Sequence, residues 1–283
     1  MLSSETKALG LRILRNRLAF IGVALVLLVV AAALVLPLVL PWDPNGMDID
    51  NALGAPGNGH WLGTDQFGRD LLTRLVYGAG ISLQVGLLVT LCSLVLGVAL
   101  GGTAGYAGGA TDASLMRAMD ALLAFPGLLL ALALVAALGD SLWAIVLALT
   151  IVGIPRFARV VRATVLQRKE EDYVLAARAL GKRPVKILVQ DILPNCSGPI
   201  LIQTTLVFPG AVLGEAALSF LGLGLPPPAP SWGRMLQEAT TVMEIAPSIA
   251  IYSGLAIFVT VLGFNFLGDG LRDVFDPRTA RQN

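Results

Sequence analysis

Long apolar runs alternate with short polar segments along this chain. Leu18 to Pro41, Leu75 to Thr111, Ala121 to Gly139, Ile192 to Gly214 and Ile245 to Gly268 carry no charged residue. A helix crossing a bilayer needs about 20 apolar residues, and no soluble core absorbs five such runs. The pattern predicts six helices, at 19–40, 82–107, 116–138, 141–161, 198–221 and 247–268. An all-α integral membrane protein with six transmembrane helices is therefore expected.

Composition supports that class. Charged residues make up 14% of the 283 positions and hydrophobic ones 55%, whereas soluble domains carry about 25% charged residues. Arg12, Arg15 and Arg17 precede the first run as they would a signal peptide. The run continues to Leu40, beyond the usual apolar core of about 7 to 15 residues, and reads as a retained span. Placing the amino terminus inside puts 17 of the 20 Lys and Arg on the cytoplasmic side and leaves Arg69, Arg74 and Arg234 outside. This asymmetry places both termini in the cytoplasm.

The predicted second span carries Gly97, Gly101, Gly105 and Gly109 at intervals of four, a face that another helix can approach closely. Pro126 and Pro209 mark expected kinks. Outside, Gly59 to Gly78 ends in an amphipathic stretch, with Leu71, Leu72, Leu75 and Val76 against Arg69, Asp70 and Arg74. It is expected to lie along the outer membrane surface. Farther on, Leu225 to Ala239 opens with a proline turn, and Ser231 is placed to cap a short helix.

Missing chemistry excludes several function classes. His60 is the single histidine, which rules out a His-based metal cage. The one Gly-Lys pair, Gly181-Lys182, is followed by Arg183 and preceded by Ala176 where a phosphate loop needs glycine, so the chain holds no ATP by that device. Cys92 and Cys196 are placed for neither a structural disulfide nor a metal site. Basic residues in the central loop are diluted by acids and lack aromatic neighbours apart from Tyr173, so nucleic acid is not an expected partner.

That central loop, "KEEDYVLAARALGKRPVKILVQDILPN", is charged at nine of its 27 positions. Asp172 to Leu180 reads as a short helix. Glu170, Glu171 and Asp172 stand at its start and Arg178, Lys182 and Arg183 at its end, which complements the helix dipole. Gly181 is placed to close it in a left-handed cap, and Pro184 discourages continuation. Tyr173, Ala176, Ala177 and Leu180 share one face. This shallow face suits a groove on another protein, and equally a helix lying on lipid headgroups.

"LAARALG" followed by "LP" resembles the cytoplasmic EAA loop of type I ABC importer permeases. Ala176, Ala177, Gly181, Leu193 and Pro194 fit that pattern, whereas Leu175 replaces its Glu and Asp191 its Ile. "LGTDQFGRDLLTRLVYGAGISLQVG", "LLAFPGLLLALAL", "EAALSFLGLGLPPPAPSWGRML" and "GDGLRDVFDPR" resemble the second permease subunit of dipeptide, oligopeptide and nickel importers. The resemblance implies a type I importer permease fold in a bacterial inner membrane. Implied partners are a second permease, two cytoplasmic ATPases that bind ATP and Mg, and an external solute-binding protein. It implies no catalytic residue and no cofactor in this chain.

The division this implies is a tail at 1–18, a first helix with external loop and elbow at 19–79, the transport domain at 80–269 and a tail at 270–283. The loop at 162–197 lies within the transport domain. Glu171, Asp172, Tyr173, Ala176, Ala177, Arg178, Leu180, Gly181 and Lys182 are the implied ATPase-coupling helix. Uptake of di- or oligopeptides is the implied function. Nickel or a metal chelate is the alternative substrate, and a stand-alone secondary carrier is the rival from another class.

Glu215 is the one acid deep in a predicted span, where a lone charge costs at least about 3 kcal/mol. It either lines the pathway, attracting a peptide amino terminus or a cation, or, as favoured here, is structural: one of a pair, or a protonated carboxyl hydrogen-bonded to a neighbouring helix. Gln203 and Asn265 are expected in interhelical hydrogen bonds. Trp232 and Arg234 are candidates for the face that meets the binding protein, and Trp232 equally for a membrane anchor.

Overall fold

A computed structural model describes residues 16–57 and 59–275; most of both expected tails lies outside them. The helices are α1 (Arg17–Val39), α2 (Leu71–Ala107), α3 (Gly109–Leu123), α4 (Gly127–Leu138), α5 (Leu142–Arg168), α6 (Asp172–Ala179), α7 (Ser197–Phe220), α8 (Trp232–Ala239) and α9 (Ser248–Phe275). Five helical stretches are long and apolar enough to cross a membrane, and the α3–α4 pair brings the number to six. The fold is that of an all-helical multi-pass membrane protein.

The predicted third span is broken. α3 and α4 meet at 89° around Pro126, whose ring and missing N–H interrupt the helical ladder. Pro209, by contrast, lies inside an unbroken α7.

α2 and α5 form the central pair of the bundle. A Cβ on Gly97 or Gly101 would collide with Phe157 or the backbone of Ala158, and one on Gly105 would crowd Arg162 and Val165. The expected row of four glycines is a row of three, because α2 ends at Ala107 and Gly109 already belongs to α3. α7 closes the core over α2 and α5. Val85, Val89, Ile145, Val146, Ala148, Leu149, Ala211 and Leu218 are buried together there. α1 runs along α9, and Asn16 both caps α1 and donates to Asp273 at 3.2 Å.

The stretch expected on the outer membrane surface is interior instead. α2 starts at Leu71, capped by Asp70, and Arg69, Asp70 and Arg74 are as buried as Leu71 and Val76. Their charges face other charges rather than headgroups. Arg69 Nε lies 2.6 Å from Asp65, and its Nη2 lies 2.7 Å from Glu238 of α8. Arg74 reaches the same two acids at 3.4 and 3.3 Å and donates to the Pro44 carbonyl at 3.0 Å. The loop before α2 is thus pinned to α8 at the end of the bundle opposite α6.

Candidate functional site

α6 is a capped knob rooted in the bundle. Its C-terminus closes as the sequence predicts: Gly181 has φ +72°, its N–H donates to Arg178 at 2.9 Å and the Lys182 N–H to Ala177 at 3.1 Å, a Schellman arrangement. Glu171, at the N-terminal cap, makes no capping bond. Its carboxylate instead pairs with Arg168 at 2.5 Å.

Val174 is fully buried among Val161, Val165, Ile187, Ile192 and Cys196. Such burial is worth about 1.5–3 kcal/mol. This root splits the face expected from sequence. Ala177, one turn on, packs toward the same cluster, while Tyr173, Ala176 and Leu180 stay exposed, joined by Leu175. Leu180 is 87% exposed, the most open large apolar side chain of the loop. Partial burial pushes the Tyr173 phenol up from its ordinary value, which keeps it neutral.

Polar contacts fix the knob from the sides. The Arg178 guanidinium stacks 5.5 Å from the Tyr106 ring at the end of α2, a favourable cation–π geometry. Lys182 reaches both oxygens of Asp191 at 2.7 and 2.8 Å. Asp191 therefore replaces an apolar residue of the loop pattern with an ion pair inside the loop. Asp172, by contrast, is exposed.

α6 stops before Pro184, as the sequence predicts, and Pro184 stands at the first position of the next helical run. From Pro184 the chain stays helical to Phe220, through a π-helical turn at Ile187–Ile192 and a 3₁₀ turn at Leu193–Cys196. Pro194 has no N–H and its ring would strike the carbonyl four residues earlier. The wide turn before it removes that clash. α6 is thereby tied directly to α5 on one side and to the long α7 run on the other.

The remaining predicted residues fall in different environments. Glu215 is 1% exposed, and accepts from Ser82 of α2 at 2.9 Å and Ser219 at 2.6 Å. It is a structural contact between helices. Trp232 is 1% exposed, with Nε1 donating to the Leu75 carbonyl at 3.0 Å; it is an internal anchor, too deep to meet another protein. Ser231 caps α8 through Arg234 N–H at 3.3 Å, as the sequence predicts. Arg234 is partly exposed and pairs with Glu238 at 3.3 Å. Gln203 is half-buried and Asn265 exposed. The expected interhelical hydrogen bonds of these two side chains do not occur among the described residues, because both point off the packed faces of their helices. Both cysteines are free.

Sequence reasoning missed Val174, whose signal is modest: an apolar residue at i−3 from Ala177, off the proposed outer face. It also treated Arg156 as one more basic residue, although among the described residues it lacks the acidic partner that Arg159 and Arg162 have.

Residues 97–281 match the family described as binding-protein-dependent transport system inner membrane component. Residues 9–56 match the N-terminal transmembrane domain of oligopeptide transport permease C. A putative peptide transport system permease protein of Brucella abortus is 46% identical, over 94% of this chain and 90% of its own. A dipeptide transport system permease of Alkalihalophilus pseudofirmus is 43% identical over 93% and 87%. A glutathione transport system permease of Pectobacterium atrosepticum is 43% identical over 94% and 89%. Among solved structures, an inward-facing form of the MetNI methionine ABC transporter superposes with a TM-score of 0.59 at 19% identity, over 71% of this chain and 96% of that one.

Proposed function

The chain belongs to the family of binding-protein-dependent transport system inner membrane components, and we propose from that premise that it is one of two permeases in an ATP-driven importer of di- or oligopeptides. Relatives named for peptide, dipeptide and glutathione transport support that substrate class over a nickel or metal chelate.

The observation that carries the coupling role is the shape of α6. A fully buried Val174 roots it, a left-handed glycine closes it, and Tyr173, Leu175, Ala176 and Leu180 form an apolar crown on the exposed side. An apolar crown on a rigid root suits a protein groove. In this reading α6 is cytoplasmic, with the basic residues around it, and seats in one of two ATPases that bind ATP and Mg. A second permease and an external binding protein complete the transporter. Closure of the ATPases moves α6, and α5 and α7 move with it as a body. The ATPase must hold α6 differently in its two states, because equal affinity shifts nothing.

Gentle extraction from the native membrane followed by mass spectrometry tests the assembly. Two ATPase copies and a second permease are expected with this chain. Recovery of the chain alone, active in liposomes without ATP, overturns the proposal in favour of a stand-alone carrier.

A further inference from the structure

α5 carries four arginines, and three of them are paired within the chain: Arg168 with Glu171, and two more with acids of α3. Arg159 lies 2.6 Å from Asp120, and Arg162 bonds both oxygens of Asp112, on α3 in each case. Arg156 has no acidic partner among the described residues. It is exposed, and its Nη1 lies 3.5 Å from where a Cβ would stand on Gly210.

Arg156 lies within Leu142–Arg168, a helix long and apolar enough to cross a membrane, about 21 Å along it from Leu142; it belongs to the span rather than to the cytoplasmic side where the charge count put it. Gly210 is near the middle of the 24-residue α7. Helical side chains lean toward the start of their own helix, so this guanidinium points away from the α6 end rather than out toward the nearer surface. A lone arginine in lipid costs several kcal/mol.

Two further features lie on the same face. Gln203, Leu206, Gly210 and Leu213 form an i, i+3, i+7, i+10 stripe of incompletely buried positions on α7, in which Gln203, without a side-chain hydrogen bond among the described residues, is the polar member beside two exposed leucines. The 89° break between α3 and α4 also lies here. A Cβ on Gly127 would stand 3.0 Å from Val152, one turn of α5 from Arg156, and Phe125 at the break is 61% exposed. Non-helical backbone at this depth persists only against protein or water.

We propose that Arg156, beside Gly210, lines the aqueous translocation pathway and binds the carboxylate of the passing peptide. This rests on the importer function proposed above. The planar guanidinium matches a carboxylate with two parallel hydrogen bonds, and glycine at 210 leaves the approach open. Gln203 offers a neutral polar contact farther along the stripe.

The test uses the complete transporter in liposomes, with Cys92 and Cys196 replaced by Ser and Gly210→Cys as the reporter. Water-soluble anionic thiosulfonates should modify the new thiol faster than cationic ones by about tenfold, as a focused positive potential requires. Arg156→Gln should abolish that preference. In the parent transporter, ATP-driven uptake of dialanine and of dialanine amide is then compared with the Arg156→Gln variant. The acid-to-amide ratio should fall about tenfold and recover in part with Arg156→Lys. Discrimination by the binding protein cancels in that comparison.

A thiol inaccessible from water overturns the proposal, as does an unchanged ratio. Loss of permease pairing in Arg156→Gln, restored by Arg156→Lys, also overturns it, assigning the arginine to an acid of the second permease. Absence of ATP-driven peptide uptake by the unaltered transporter defeats the parent function instead, and labelling of the thiol is read independently of it.

Discussion

The hydroxyl of Ser82 on α2 donates to the carboxylate of Glu215 on α7 across 2.9 Å, where neither side chain meets solvent. With Ser219 supplying a second donor, the acid joins two helices. Glu215→Ala should lower the stability of the purified protein by about 1–3 kcal/mol, because both serines lose their buried acceptor. Substrate preference in Glu215→Gln should match the unaltered protein. Thermal unfolding and competition uptake give the two readouts, and a changed preference with normal stability contradicts the structural role.

Gly181 tests the coupling role proposed for α6. Its φ of +72° is costly for any residue with a side chain, about 1–2 kcal/mol, yet none of the described residues lies within 4 Å of a Cβ there. Gly181→Trp should therefore still insert and purify, while transport falls to background because the indole fills the space where an ATPase docks. Uptake and ATPase stimulation are measured side by side. Normal coupled transport in this variant contradicts docking at α6.

The α2–α5 contact is sharper. A Cβ on Gly101 would overlap the backbone of Ala158, and backbone cannot rotate away as a side chain can. Gly101→Leu should prevent assembly of the bundle, seen as loss of the monodisperse peak on size exclusion. Gly80→Leu, on an open face of the same helix, serves as the control and should leave that peak intact.

At the other end of the bundle, Glu238 faces Arg69 and Arg74, side chains 3% and 1% exposed. Glu238→Gln leaves both arginines buried with Asp65 as their remaining acid. Removing one member of such a buried network costs about 3–5 kcal/mol. The expected result is an earlier thermal transition and faster protease cleavage of the 43–70 loop. An unchanged transition indicates that the arginines find other partners.

The amino-acid sequence by itself determined what depends on residues close in the chain. Apolar runs of span length set the number and order of membrane helices. The short helix at Asp172, its glycine cap and the Ser231 cap were legible because each is a matter of neighbours within a few positions. Sequence motifs also carried the family. Only the tertiary structure decided which way those elements turn. Val174, not the Ala177 edge, roots α6, because its pocket is built from Val161, Ile187 and Ile192 of flanking segments. Arg69 and Arg74 are interior because Glu238 arrives from far along the chain. Arg156 is set apart from Arg159 and Arg162 by α3, which offers acids to those two, and by α7, which brings Gly210 beside it. Hydropathy and caps act over one or two helical turns, whereas burial and charge pairing depend on which distant helices share a face.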